Sequence, residues 1–282
     1  MNKWVVGARP RTLPAAIAPV LVATSLAASD ANFAMAGLAL AVSLALQVGV
    51  NYANDYSDGI KGTDDNRVGP TRLVASGLAS AKSVKQAAFT SFAVAAVVGL
   101  ALALLTSLWL IAVGAAAILA AWTYTGSKRP YGYLGLGEIS VFLFFGLVAT
   151  MGSYYVQAEK LTWQSFVVAI PMGSLACALL AINNLRDRAQ DELVGKRTMA
   201  VRLGDAGARK LFIALLLLAH VSALVVPGGN TLITLLLLPQ TLIIANKVRL
   251  GATGPALIPL LGKTGQLQLW FAVIFALALA LN

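Results

Sequence analysis

Apolar residues crowd into nine stretches of the chain, at about 12–29, 33–53, 84–105, 108–124, 138–157, 164–184, 210–226, 231–246 and 266–281. Most are about the length that a helix needs to cross a hydrocarbon core of roughly 30 Å. In lipid the backbone must satisfy its own hydrogen bonds, so open sheets and loops cannot face the bilayer. The pattern therefore predicts an all-α membrane protein, a bundle of about nine transmembrane helices forming one domain over residues 1–282. The weakest divisions are the break at Thr106 and Ser107 and the short eighth run, and losing either gives eight spans. The first run follows Lys3, Arg9 and Arg11, carries Pro10, Pro14 and Pro19, and shows no small-residue cleavage site, so it is expected to stay as a span.

Polar side chains interrupt the pattern at two matched places. The second run ends in Asn51-Tyr-Ala-Asn54-Asp55-Tyr-Ser-Asp58, and one further helical turn sets Asn51, Asp55 and Asp58, at offsets of four and seven, on one face. The sixth run ends in Asn183, Asn184, Asp187 and Asp191, with offsets of four and eight between Asn183 and the two acids. A lone Asn or Asp at a helix end is ordinarily a solvated cap. Two such clusters in one membrane protein ask for more. Close carboxylates repel unless cations lie between them. Hard oxygen ligands of this kind suit Mg²⁺, which takes one or two carboxylates together with substrate phosphate oxygens. Asp55, Asp58, Asp187, Asp191 and Asn51 are the candidate metal ligands, and the four acids are candidate catalytic residues around a diphosphate substrate.

The two long polar connections begin at these clusters and are rich in cations. Lys61, Arg67, Arg72, Lys196 and Arg197 lie close to an acidic residue and are expected to take phosphate oxygens that the metal leaves. Asn54, Asn183 and Asn184 join them on the substrate side. A third connection carries Tyr124 and, four residues on, Lys128, then Tyr131, Tyr133 and Glu138. Tyrosines here are ordinarily interfacial anchors, but beside a diphosphate their ring faces stabilise a developing carbocation. Lys128 is a candidate catalytic cation. Glu138, an ionisable group at the start of a span, is a candidate acceptor-side residue together with Tyr124.

Composition narrows the classes. Of 282 residues, 59% are hydrophobic and 11% charged, far from the balance of soluble domains. The formal net charge of +10 raises nucleic acid as a partner, but the basic residues lie between spans. With the amino terminus inside, every Lys and Arg except Lys160 falls on the cytoplasmic side, as the positive-inside rule requires. Topology, not nucleic acid, explains the charge. Both acidic clusters then face the cytoplasm from the plasma (inner) membrane. Cys177 is the single cysteine, so no internal disulfide or Cys-based metal site exists. His220 lies alone in the seventh span and reads as an interhelical hydrogen-bonding residue.

These motifs resemble those of the UbiA superfamily of intramembrane aromatic prenyltransferases, over nearly the whole chain. Asn54-Asp55-x-x-Asp58 is similar to the family's first Asp-rich motif, and Asn184-Leu-Arg-Asp187-x-x-x-Asp191 with Gly195-Lys-Arg-Thr198 to its second. Tyr124-x-x-x-Lys128 resembles its third-loop motif. The resemblance implies helices around a central cavity under a cytoplasmic cap, with two Mg²⁺ ions between the Asp motifs holding a polyprenyl diphosphate. Many branches place a further Asp where this chain has Gly62, with Asp64 and Asp65 coming later. Together with Arg9-Pro-Arg-Thr-Leu-Pro14, Gly69-Pro-Thr-Arg72 and the run from Pro130 to Glu138, this resembles the bacterial branch that prenylates 1,4-dihydroxy-2-naphthoate in menaquinone synthesis.

Two rival readings share the raw pattern. An ion-coupled transporter also buries acids, but places them near the bilayer midplane in interrupted helices, whereas these lie at span ends. Prenylation of 4-hydroxybenzoate differs only in the acceptor. The sequence does not specify chain length or oligomeric state.

Overall fold

The computed structural model describes residues 2–63, 69–227 and 230–281. Its helices are α1 (Lys3–Ala8), α2 (Pro14–Ala27), α3 (Phe33–Ile60), α4 (Ala81–Leu105), α5 (Trp109–Thr123), α6 (Gly137–Val141), α7 (Ala149–Ala158), α8 (Trp163–Leu193), α9 (Met199–Leu224), α10 (Leu238–Arg249) and α11 (Leu257–Ala280). A π-helical segment, Phe142–Val148, joins α6 to α7 as one continuous rod, and a 3₁₀ segment, Thr231–Leu237, leads into α10.

Every predicted run corresponds to a helix. Among the described residues seven helices are long and apolar enough to cross a membrane. The pair Lys3–Thr12 and Pro14–Asp30, bent by 52°, makes an eighth if the two count as one span, and α5 is a shorter apolar helix. The protein is a multi-pass membrane protein.

The bend precedes Pro14, whose ring suits the first turn of α2. Arg9, between α1 and the 3₁₀ turn Pro10–Thr12, holds a left-handed backbone at φ 53°. Its guanidinium Nη2 donates to the Asn51 carbonyl at 3.1 Å, which ties the strained corner to α3.

Two packed groups enclose the interior. In one, α2, α8, α9 and α11 share a core that includes Met172, Leu175, Phe212, Phe271 and Phe275, with α8 buried along most of its length. In the other, α3 and α4 pack around Tyr52, Phe92 and Leu73. Between them, lined by α2–α8 and the start of α11, lies a largely apolar cavity of about 730 Å³. The π-helical turn delivers Phe144, Phe145 and Val148 to its wall.

His220 lies where expected, with Nε2 2.9 Å from Thr241 Oγ1 across α9 and α10. Cys177 is buried and donates to the Glu138 carbonyl at 3.1 Å.

The rod containing α6 and α7 meets α8 at glycines. A Cβ on Gly146 would lie 2.6 Å from the Gly173 Cα, a distance that side-chain movement cannot relieve. Small residues are what let membrane helices approach this closely. We expect Gly146→Val to cost about 1–3 kcal/mol by overpacking. A lowered thermal midpoint of purified protein checks this, and an unchanged midpoint contradicts the close approach.

Candidate active site

Helices α3 and α8 do not stop where their apolar runs stop. They continue to Ile60 and Leu193 and carry both acidic clusters into one end of the bundle. There a second, polar cavity of about 80 Å³ is lined by Asn54, Asp58, Asn183, Asn184, Asp187 and Asp191, with Arg9, Arg72, Tyr133 and Lys196 among their neighbours. It shares Arg9, Asn54, Arg72, Tyr124, Leu180 and Asn183 with the apolar cavity, so the two adjoin along these residues.

The acids are neutralised within the protein. Lys196 Nζ lies 3.0 Å from Asp58 Oδ1 and 3.9 Å from Asp191 Oδ1, and so links the two helices. Arg186 donates from Nε and Nη2 to the two oxygens of Asp187, each at 2.7 Å, and from Nη2 to Asn183 Oδ1 at 2.9 Å. Its side chain is 1% exposed, which makes this a buried, bidentate charge pair. The Tyr133 hydroxyl donates to Asp58 Oδ1 at 2.6 Å. Two ammonium groups lie over the same ring, Lys61 Nζ at 4.8 Å and Lys196 Nζ at 4.6 Å from its centroid. Lys61 also donates to the Thr125 carbonyl at 2.9 Å. Burial pulls its ammonium below the usual lysine range and Lys196 adds to this, while Asp58 opposes it.

The expected stripe of Asn51, Asp55 and Asp58 divides. Asn54 and Asp58, four apart, face the polar cavity, and Asn51, three residues before Asn54, faces the apolar cavity on the same side of α3. Asp55 lies roughly 100° further round a helix of 3.6 residues per turn. It turns away. Its Oδ2 and Oδ1 accept the backbone N–H groups of Leu73 and Val74 at 2.9 and 3.0 Å, and it is fully buried. Gly59, on the next turn, admits Val74, since a Cβ there would lie 2.5 Å from Val74 Cγ1. Asn51 Nδ2 is likewise committed, donating to the Ala8 carbonyl at 2.9 Å and to Thr12 Oγ1 at 3.1 Å. Here the Asp55 carboxylate and the Asn51 amide nitrogen anchor neighbouring segments. Neither partner segment is near them in sequence.

Lys128 and Arg197 are exposed and line neither cavity. Lys128 stands in a tight turn, and the Arg197 backbone N–H donates to the Tyr133 carbonyl at 2.9 Å. Arg67, with Asp64 and Asp65, lies outside the described residues. Tyr124 lines both cavities. Glu138 is 8% exposed and accepts from Asn184 Nδ2 at 3.0 Å, which makes it a support for an amide of the polar cavity. Arg186 and Arg9 were not singled out from the sequence as site residues, and Tyr133, expected with the other tyrosines on the acceptor side, lies instead against Asp58. Arg186 was hidden by a charge pattern that topology already explained.

Among the described residues no three carboxylate, histidine or cysteine side chains gather closely enough to hold a metal unaided. The donor set nevertheless fits Mg²⁺ completed by phosphate, because such ions take only one or two protein carboxylates. Asp58, Asp187 and Asp191 are available on exchange of their Lys and Arg partners.

A family model described as the UbiA prenyltransferase family matches residues 16–254. The chain belongs to the UbiA prenyltransferase family. It is 52% identical to a 1,4-dihydroxy-2-naphthoate octaprenyltransferase of Mycobacterium tuberculosis, over 99% of this chain and 97% of that one. It is 41% identical to the protein of the same name in Escherichia coli, over 76% and 72% respectively. Among solved structures, a UbiA homologue from Archaeoglobus fulgidus bound to GPP and Mg²⁺ superposes with a TM-score of 0.73 at 15% identity, covering 100% of both chains. The UbiA fold thus holds across very different sequences.

Asp55→Ala should leave the Leu73 and Val74 N–H groups without their acceptor, at about 1–3 kcal/mol for a buried one. The expected result is faster amide hydrogen exchange across 73–79 than in Asp58→Ala. Unchanged exchange in that segment, combined with weakened metal binding, would restore Asp55 as a ligand.

Proposed function

We propose that the protein transfers a polyprenyl group from polyprenyl diphosphate to 1,4-dihydroxy-2-naphthoate, with loss of diphosphate and CO₂, giving the demethylmenaquinone skeleton. The observation that carries this reading is a small charged cavity set directly against a large apolar one, with six lining residues in common. A diphosphate fits the first and an isoprenoid tail the second. The name of the M. tuberculosis relative, at 52% identity, supports the acceptor, and the A. fulgidus homologue with GPP and Mg²⁺ supports the donor and the ion.

Mg²⁺, as two ions held by Asp58, Asp187 and Asp191 with help from Asn54, Asn183 and Asn184, would supply Lewis-acid stabilisation of the leaving diphosphate. The cations that now neutralise those acids would exchange partners. Lys196 and Arg186 release carboxylates and take phosphate oxygens, joined by Arg9 and Arg72, which line both cavities, and by Lys61 from beside the Tyr133 ring. The C1–O bond of the donor breaks and its electron pair leaves with the diphosphate. The ring of Tyr124, edge-to-face with Tyr131 at 5.4 Å, lies at the junction where positive charge develops on carbon. The apolar wall below keeps water from the cation. A π pair of the electron-rich naphthoate ring forms the new C–C bond, and CO₂ departs leaving its bonding pair in the ring.

The crowding of Lys and Arg at one end of the spans supports a polar cavity that faces the cytoplasm from the plasma (inner) membrane. An ion-coupled transporter is disfavoured because the acids sit at helix ends with their counter-charges in place.

Purified protein given Mg²⁺, a labelled prenyl diphosphate and one acceptor at a time tests the assignment. Prenylated product and CO₂ are expected from 1,4-dihydroxy-2-naphthoate, and product from 4-hydroxybenzoate alone overturns it. In the same assay Asp58→Asn and Asp187→Asn are each expected to lower turnover by about 100-fold or more, in line with losing one charge-stabilising group. Lys196→Ala should raise the KM for prenyl diphosphate. Lys128→Ala should stay within about twofold of the unmodified protein. Reversed behaviour of the two lysines would move the diphosphate site to the third connection.

A further inference from the structure

Gln47 lies one turn before Asn51 on the cavity face of α3 and is 7% exposed. Its Nε2 donates to Thr12 Oγ1 at 3.1 Å and approaches Asn51 Oδ1 at 3.5 Å. The Thr12 hydroxyl donates to the Arg9 carbonyl at 2.9 Å, and Asn51 Nδ2 is spent on Ala8 and Thr12. The donors of this cluster are all used within the protein. What remains is Gln47 Oε1, which accepts no hydrogen bond from any described residue. Because Nε2 is held toward Thr12 and Asn51, the planar amide turns Oε1 the other way, into the apolar cavity just below the charged one.

A carbonyl oxygen that opens on a largely apolar cavity and accepts nothing from the protein calls for a donor once a ligand fills that space, since covering a polar group without a partner is costly. We propose that Gln47 Oε1 accepts the free ring hydroxyl of an aromatic hydroxy-acid acceptor and orients its ring beneath the diphosphate. The inference rests on the prenyl-transfer reading above and extends it to a residue. In 1,4-dihydroxy-2-naphthoate the 1-hydroxyl bonds internally to the neighbouring carboxylate, which leaves the 4-hydroxyl as the donor that needs a partner. Accepting that hydrogen bond also pushes electron density into the ring. The ring π pair forms the C–C bond as the donor C1–O bond breaks, and the hydroxyl proton stays shared between its own oxygen and Oε1. No strong base is then required, and Gln47 is not one.

The test measures equilibrium binding of 1,4-dihydroxy-2-naphthoate and of 1-hydroxy-2-naphthoate, which lacks the 4-hydroxyl, to the full chain in nanodiscs. Turnover of the dihydroxy acid by the unmodified protein is measured first, and its absence would sink the underlying reading before Gln47 is at issue. The unmodified protein should prefer the dihydroxy acid by roughly tenfold, as one good hydrogen bond gives. In Gln47→Leu the preference should fall to within about twofold, with the KM for prenyl diphosphate unchanged. Gln47→Met, which keeps the side-chain length, should behave alike and replaces the Leu variant if that fails to fold. An undiminished preference in either folded variant overturns the proposal. So does an equal loss of affinity for both naphthoates and for prenyl diphosphate, which marks a structural role.

Discussion

Three carboxylates from two helices, Asp58 on α3 and Asp187 and Asp191 on α8, are buried at the end of a membrane bundle. Such charges carry a desolvation cost of several kcal/mol each unless they are paired. The pairing is supplied by Lys196, which bridges α3 to the end of α8, and by Arg186, which grips Asp187 with two hydrogen bonds. Much else follows from this balance. It explains why α3 and α8 run well past their apolar stretches, and why Tyr133 is drawn in to share Asp58. Removing one partner of a buried pair typically costs about 3–5 kcal/mol, because the other is left uncompensated. The resting site is thus held by bonds that a substrate with more negative charge and its own metal ions can take over.

The second constraint is the junction between the charged and apolar cavities. Leaving-group chemistry needs fixed charges, and a carbocation needs dry surroundings with π faces and few nucleophiles. Placing Tyr124 and Asn54 on both cavities brings these conditions within one side chain of each other. The segment 69–72 closes over the same junction, with Gly69 against the Arg186 guanidinium, where an added Cβ would lie 3.3 Å from its central carbon.

The sequence made the bundle legible because apolar runs of membrane length leave the backbone few alternatives. It made the paired Asp clusters legible because two copies of one unusual pattern are hard to explain by helix capping. It did not reveal which members of the first cluster face the site. Offsets of four and seven define a stripe wide enough to hold Asn51, Asn54, Asp55 and Asp58. The choice among them is made by distant partners, the Leu73 and Val74 amides for Asp55 and the Ala8–Thr12 corner for Asn51. Lys128 was singled out by its spacing from Tyr124. The cations that reach the acids are Lys196 and Arg186, with Lys61 against the Tyr133 ring that bonds Asp58, and no local pattern encodes those contacts. Gln47 was invisible in an apolar run, where a single amide looks like an interhelical contact.

The central claim is that the two Asp motifs form one site, shared across α3 and α8. A double-mutant cycle on Asp58→Asn and Asp187→Asn tests it most directly, with Mg²⁺-dependent binding of a non-reactive prenyl thiodiphosphate as the measured quantity. Each single variant should weaken binding nearly as much as the double variant does, because one ligand shell is broken in every case. Losses that add independently would contradict a shared site.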